Sequence, residues 1–93
     1  MKSDPNWWVY MLECRNGHFY TGITTDVQKR FDKHAAGKGA KYTRANPPKR
    51  IIYREQMSSE QNARSRECEI KSLNRPQKEK LIQQYKQLQK RCR

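Results

Sequence analysis

Two short apolar runs, from Trp7 or Trp8 to Cys14 and from Phe19 to Ile23, flank the turn-forming pair Asn16-Gly17. Strand-favouring residues on either side of such a pair predict a β-hairpin. The loop length decides which side chains share a face. A two-residue loop would pair Tyr20 with Glu13 and send Tyr10 and Tyr20 to opposite faces. A three-residue loop, Arg15-Asn16-Gly17 with Gly17 in the left-handed conformation, pairs Tyr20 with Leu12 and Tyr10 with Gly22. That register gathers Val9, Met11, Phe19 and Ile23 on one face and leaves Tyr10, Tyr20 and Gly22 together on the other. A one-residue slip would exchange the faces, so the apolar set selects the three-residue loop.

Thr25-Asp26-Val27-Gln28 then has the form of a capping box with Thr25 as the cap. Val27, Phe31 and Ala35 recur at helical spacing up to Gly37, and Arg30 and His34 form the neighbouring row one turn apart. From Gly37 to Arg50 the pattern predicts a loop rich in Gly, Pro, Lys and Arg. Ile51 to Gln56 reads as a third strand. Ser58-Ser59-Glu60-Gln61 predicts a second capping box and a helix running to about Asn74. Arg75-Pro76 restarts the chain, with Pro76 expected at the first helical position. The last helix shows Leu81, Tyr85, Leu88 and Cys92 at four-three-four spacing beside Ile82, a stripe that is either core or a surface for a partner helix. The predicted order is ββαβαα: an α+β fold with a three-stranded antiparallel sheet flanked by helices. It is expected to form a single domain over residues 1–93, with its core over about 7–83 and the end of the last helix over 84–93.

Composition adds a partner to this outline. The chain of 93 residues carries 21 Lys plus Arg against 9 Asp plus Glu, a formal charge of +12. Such an excess repels itself in the compact state and points to a polyanion. Seven of the basic residues lie between Lys33 and Arg54, a stretch with no Asp or Glu. Among them Lys33, Lys38, Lys41, Arg44, Lys49 and Arg50 are the candidate backbone-binding surface, since phosphate contacts supply affinity with little sequence information. Lys78, Lys80, Lys86, Lys90, Arg91 and Arg93 either extend it or form a solvated helix face. Cys14, Cys68 and Cys92 have no metal-ligand spacing, which fits a reducing cytoplasm. No signal peptide and no membrane span are predicted.

Candidate chemistry gathers on the hairpin and first helix. Val9-Tyr10, Tyr20-Thr21-Gly22, Arg30 and His34 together resemble the GIY-YIG nuclease superfamily. The two tyrosines stand ten residues apart, the arginine follows ten further on, and the histidine comes at plus four. Tyr20 to Val27 and Gly37 to Lys41 are similar to the small stand-alone bacterial members, and the likeness extends through the second long helix and the Lys71 to Lys78 region. The resemblance implies metal-dependent hydrolysis of a DNA phosphodiester, with RNA as the other candidate substrate. It implies one glutamate holding Mg²⁺ or Mn²⁺, with tyrosines positioning or deprotonating the attacking water and the arginine steadying the phosphate.

On this reading Tyr20 is the water-positioning group or general base. Its ordinary pKa of about 10 requires a nearby cation to favour the phenolate. Tyr10 shares the site and bonds the phosphate or a water. Arg30 offers a planar fork to two phosphate oxygens. His34 contacts a nonbridging oxygen, relays a proton or assists the tyrosine; excision-repair members of the superfamily carry a tyrosine there. Of the two carboxylates Glu67 and Glu69, spacing to Lys71 and a place beside Ala63 and Ile70 select Glu67 as the metal ligand, and one carboxylate suffices for magnesium. A structural account exists for each residue: a half-buried strand tyrosine, a helix-edge arginine or histidine, a Glu67–Lys71 pair. The expected activity is structure- or partner-directed cutting by a monomer, because no module for substrate choice accompanies the domain. The rival is a nucleic-acid-binding module with the same fold that cuts weakly or not at all.

Overall fold

The computed structural model describes residues 6–91, with side chains described as far as Leu88. Strand β1 (Trp7–Cys14) turns through Arg15-Asn16-Gly17 into β2 (Phe19–Thr24). The loop has three residues: the Cys14 N–H donates to the His18 carbonyl at 2.8 Å and the Gly17 N–H to the Cys14 carbonyl at 2.9 Å. Gly17 takes φ +87°, the left-handed value that closes such a loop. Tyr10 consequently stands opposite Gly22, and Leu12 opposite Tyr20.

Helix α1 (Val27–Ala35) follows at once, then a short helix α2 (Lys41–Ala45), strand β3 (Pro48–Met57), and helices α3 (Glu60–Lys71) and α4 (Arg75–Arg91). The sheet is antiparallel in the order β2-β1-β3, which places β1 at its centre and β2 at an edge. The element order is therefore ββααβαα. The expected loop between Gly37 and Arg50 contains α2, whose one buried side chain is the polar Thr43. A five-residue helix without an apolar stripe gives no periodic signal.

Both faces of the sheet are covered. Val9 and Met11 pack with Ile52, Tyr53, Ala63, Ile70 and Ile82, joined by Phe19 and Ile23, beneath α3 and α4. On the other face Tyr10 and Leu12 pack with Val27, Phe31, Tyr20 and Ile51 beneath α1. A bulge in β3 serves both cores. Met11 faces Tyr53 while Leu12 faces Ile51, so Ile52 is the extra residue, and Ile51 and Ile52 enter different cores.

Local signals were displaced by a residue in three places. Asp26, not Thr25, caps α1: its carboxylate accepts from the Lys29 N–H at 3.0 Å, while Gln28 donates to Asp32 instead of reaching back. Ser59, not Ser58, caps α3, with the Asn62 N–H donating to it at 3.1 Å and the Asn62 amide donating to Ser58. Helix α3 ends at Lys71, earlier than Asn74, because Asn74 belongs to the next helix. Its Oδ1 accepts from the Gln77 N–H and its own N–H donates to Gln77 Oε1, both at 3.0 Å, which makes Pro76 the second helical residue. Leu81, Ile82 and Tyr85 of α4 join the core, so the reading of that stripe as a partner surface loses its basis there. Leu88 alone is exposed, at 59 %, and Cys92 and Arg93 lie outside the described residues. Among the described residues no helix is long and apolar enough to cross a membrane.

Candidate active site

Tyr10 sits on the central strand with 1 % of its surface exposed, and His34 on α1 with none. Their side chains meet under the sheet: Tyr10 Oη lies 3.0 Å from His34 Nε2, and His34 Nδ1 lies 2.7 Å from Thr43 Oγ1. The proton positions follow from the last member. Thr43 donates its one hydroxyl hydrogen to the Ala40 carbonyl at 3.0 Å, so its oxygen accepts from His34 Nδ1–H. Nε2 then carries a lone pair, and the Tyr10 hydroxyl donates to it. This chain satisfies every polar atom it buries.

Two glycines make room for it. A Cβ on Gly22 would stand 2.7 Å from Tyr10 Oη and 2.9 Å from its Cζ, and a Cβ on Gly39 would overlap the His34 ring. Gly22 is needed because the tyrosine of β1 lies across the bare backbone of β2. Gly39 is needed because the backbone after α1 folds flat onto the imidazole.

Burial sets the protonation of the pair. It pushes the Tyr10 phenol up to about 12, with neighbouring Tyr20 acting in the same direction and Arg30 opposing it. It also holds His34 below the ordinary imidazole value, with the Arg30 guanidinium adding to the effect. Tyr10 is therefore a neutral donor and His34 a neutral acceptor. His34 has no exposed surface with which to meet a phosphate, and the Tyr10 hydroxyl hydrogen is committed to His34 instead of a substrate oxygen.

Tyr20, Arg30 and Glu67 reach the surface around this buried pair. The Tyr20 ring is half-buried, 5.1 Å from the His34 ring edge-on and 6.4 Å from the Tyr10 ring. Arg30 is half-buried on α1, one turn before His34. Glu67 comes from α3, beyond the sheet, with 20 % of its side chain exposed. Arg30 favours the Tyr10 phenolate, and Glu67, the weakest of the influences on that hydroxyl, opposes it. Glu69 points elsewhere and pairs with Arg66 at 2.8 Å.

Glu67 is a solitary carboxylate. Among the described residues no three His, Cys, Asp or Glu side chains gather in a group that could hold a metal. That donor set does not fit zinc, which takes three or four protein ligands. It does fit magnesium, which keeps most of its waters and asks for one or two carboxylates. The Lys71 ammonium, 3.1 Å from Glu67 Oε2 and 56 % exposed, shares the carboxylate.

The basic set divides. Lys33, Lys38, Lys41, Arg44, Lys49 and Arg50 are all exposed. The first four belong to α1, α2 and the segment between them. Arg50 instead pairs with Glu13 at 2.7 Å and lines a cleft with Ile82 and Lys86 of α4. Several residues of the region escaped the sequence pattern. Thr43 fixes the histidine tautomer, and Tyr42 lies with its ring plane within 10° of that of Tyr20 at 6.4 Å between centroids. Gly37-Lys38-Gly39 was the one available signal, since a second glycine so near a helix end marks a close backbone approach.

Comparison with known proteins shows the family. The family model described as the GIY-YIG catalytic domain matches residues 6–90. The UPF0213 protein BH0048 of Halalkalibacterium halodurans is 49 % identical over 77 residues, covering 83 % of this chain and 82 % of that protein. The UPF0213 protein VNG_2274C of Halobacterium salinarum is 51 % identical over 74 residues, covering 80 % and 96 %. Among solved structures, the solution NMR structure of BH0048 matches with a TM-score of 0.54 over 84 % of this chain and 83 % of its own. That of the protein EF2693 from E. faecalis matches with a TM-score of 0.60 at 34 % identity, over 91 % of each chain. By the match along nearly its whole length and by relatives near half identity, the chain belongs to the GIY-YIG catalytic-domain family.

Proposed function

We propose that the protein is a metal-dependent endonuclease that hydrolyses phosphodiester bonds in DNA, with substrate choice set by nucleic-acid structure or by a partner. The observation that carries this reading is the meeting of Tyr10, Tyr20 and His34 from three elements, with Arg30 one turn before His34 on α1. The Tyr20 ring stands 6.4 Å from that of Tyr10 and edge-on at 5.1 Å to His34, which bonds the Tyr10 hydroxyl.

In this proposal Arg30 takes two oxygens of the scissile phosphate with its planar fork. Tyr20 accepts a hydrogen bond from the attacking water and sets its line of approach. Tyr10 and His34 are positioning residues: their hydrogen bond fixes the ring against which Tyr20 packs. Glu67 is the residue that would hold a divalent ion, which when bound offsets charge developing on the phosphate. The α1–α2 cations Lys33, Lys38, Lys41 and Arg44 carry the flanking backbone.

Purified protein with Mg²⁺ or Mn²⁺ is expected to nick or cut a member of a panel of duplex, branched, flapped and single-stranded DNA. Glu67→Gln, Arg30→Ala and Tyr20→Phe should each lower the rate by roughly 100-fold or more. Cutting that persists in all three variants, or in EDTA, sinks the proposal. One observation favours the rival reading, a non-cutting binding module: Lys71 already neutralises Glu67. Calorimetric titration separates the two, since the rival shows no Mg²⁺ binding that disappears in Glu67→Gln.

A further inference from the structure

Along the free edge of β2 a cavity of about 480 Å³ opens, sharing Tyr20 with the proposed cleavage site. Tyr20, Tyr42 and Phe19 give it aromatic walls, and Lys71, Arg75 and Lys78 give it three cations; no Asp or Glu lines it. We infer that this cavity is a subsite for one unpaired nucleotide adjoining the cleavage site, its base stacked on Tyr42 and its phosphate held by Arg75 and Lys78. The inference rests on the nuclease reading for its place beside the scissile bond, but its ligand chemistry stands on the cavity.

The walls are held ready. The Tyr42 hydroxyl accepts from the Asn16 side chain at 3.0 Å and lies 3.2 Å from His18 Nδ1, which ties α2 to the hairpin turn. The ring remains 37 % exposed, one of two large hydrophobic side chains so exposed among the described residues. A tyrosine fixed by its hydroxyl with its face open to a cavity is a stacking platform, and every base presents a matching π-face.

The cations are equally fixed. The Arg75 guanidinium lies 3.8 Å from the centroid of the Phe19 ring. It is anchored by Nη1 to the Gly17 carbonyl and by Nε to Glu79, both at 3.0 Å. Its Nη2 edge has no partner among the described residues. Lys78, half-buried in the cavity wall, makes no ion pair among the described residues, so its ammonium lacks a counter-charge.

Flat apolar walls beside Lys78, a cation without a counter-charge among the described residues, call for a ligand that is both aromatic and anionic. A nucleotide has that combination, whereas inorganic phosphate leaves the rings unused. The base must also leave its stack and its pairing partner to lie on Tyr42, so the subsite favours strands that are already unpaired.

The test is binding without metal. In EDTA, fluorescence anisotropy would compare a labelled six-nucleotide oligothymidylate with a closed hairpin duplex of equal charge. The wild type should bind the single strand more tightly. Tyr42→Ala should weaken that binding by about 5- to 100-fold and leave the duplex nearly unaffected. Tyr42→Phe, which keeps the ring but loses its bonds to Asn16 and His18, should lose much less than Tyr42→Ala, and Lys78→Gln should lower the salt slope for the single strand by about 0.7. Equal binding by Tyr42→Ala and wild type, or an equal loss on the duplex, overturns the subsite. Because no cleavage is measured, a failure of the nuclease reading would show separately, as absence of metal-dependent cutting with this binding pattern intact.

Discussion

A buried tyrosine bonded to a buried histidine makes the residue scale of this protein unusually sensitive to pH. His34 is neutral in the folded chain because burial and Arg30 disfavour its cation, whereas in the unfolded chain it titrates near an ordinary value of about 6.5. The unfolded state therefore binds the extra proton first as pH falls. The stability that the neutral histidine contributes is complete above about pH 6.5 and is lost progressively below it, down through the folded value. Denaturant midpoints measured from pH 7.5 to 5 should fall in the wild type and fall less in His34→Gln. A parallel decline in the two would mean that other groups dominate. At neutral pH His34→Ala should cost about 3 kcal/mol, from the cavity and from the orphaned hydroxyls of Tyr10 and Thr43. A thermal shift under about 5 °C would contradict that figure.

At the scale of elements, the hairpin and α1 are joined by the Tyr10–His34 bond, each partner of which lies against a glycine. Gly22→Ala would drive a methyl into the Tyr10 hydroxyl and phenol carbon, displacing the ring from His34 and carrying Tyr20 with it. Cleavage is expected to fall by roughly 10- to 100-fold. Gly37→Ala is the control. It sits at φ +79° beyond the end of α1 with nothing near its Cβ position, so it should cost about 1 kcal/mol of stability with cleavage unchanged. Equal kinetic effects from the two substitutions would show that backbone strain, not the Tyr10 contact, matters. The hairpin register could be read from the chain because the alternation of Val9, Met11, Phe19 and Ile23 allows only one face inward. Helix α2 could not, because its single buried residue is a threonine whose partner lies on another helix.

For the whole molecule, the proposed association with nucleic acid would, at a formal charge of +12 on 93 residues, be driven by counterion release. Binding to a duplex should weaken steeply between 50 and 200 mM salt, by about 10³-fold if some six phosphates are engaged. Lys41→Gln and Arg44→Gln should each reduce the slope of log Kd against log salt by about 0.9, uniformly across sequences. Arg50→Gln should change it less, since Glu13 already offsets that charge and the side chain lies toward α4. Slopes that do not respond to the α2 substitutions would move the duplex footprint to another face.

The sequence alone determined those features that depend on repeating patterns or on short-range chain geometry. Among them are the three-stranded antiparallel sheet, the loop that brings Tyr10 and Tyr20 to one face, the helices with their apolar stripes, and membership of a family whose motif residues stand at readable spacings. Tertiary structure decided what depends on solvent access and on partners from distant elements. Tyr10 and His34 belong to the same motif as Tyr20 and Arg30, yet burial turns the first two into a neutral, closed hydrogen-bonded pair and leaves the others at the surface. The same tertiary layout divides the basic residues between two sides of the sheet and joins Tyr42, Arg75 and Lys78 in one cavity from sites more than thirty residues apart. Spacing along a chain carries no record of such meetings, because each arises where separately specified elements pack and exclude water.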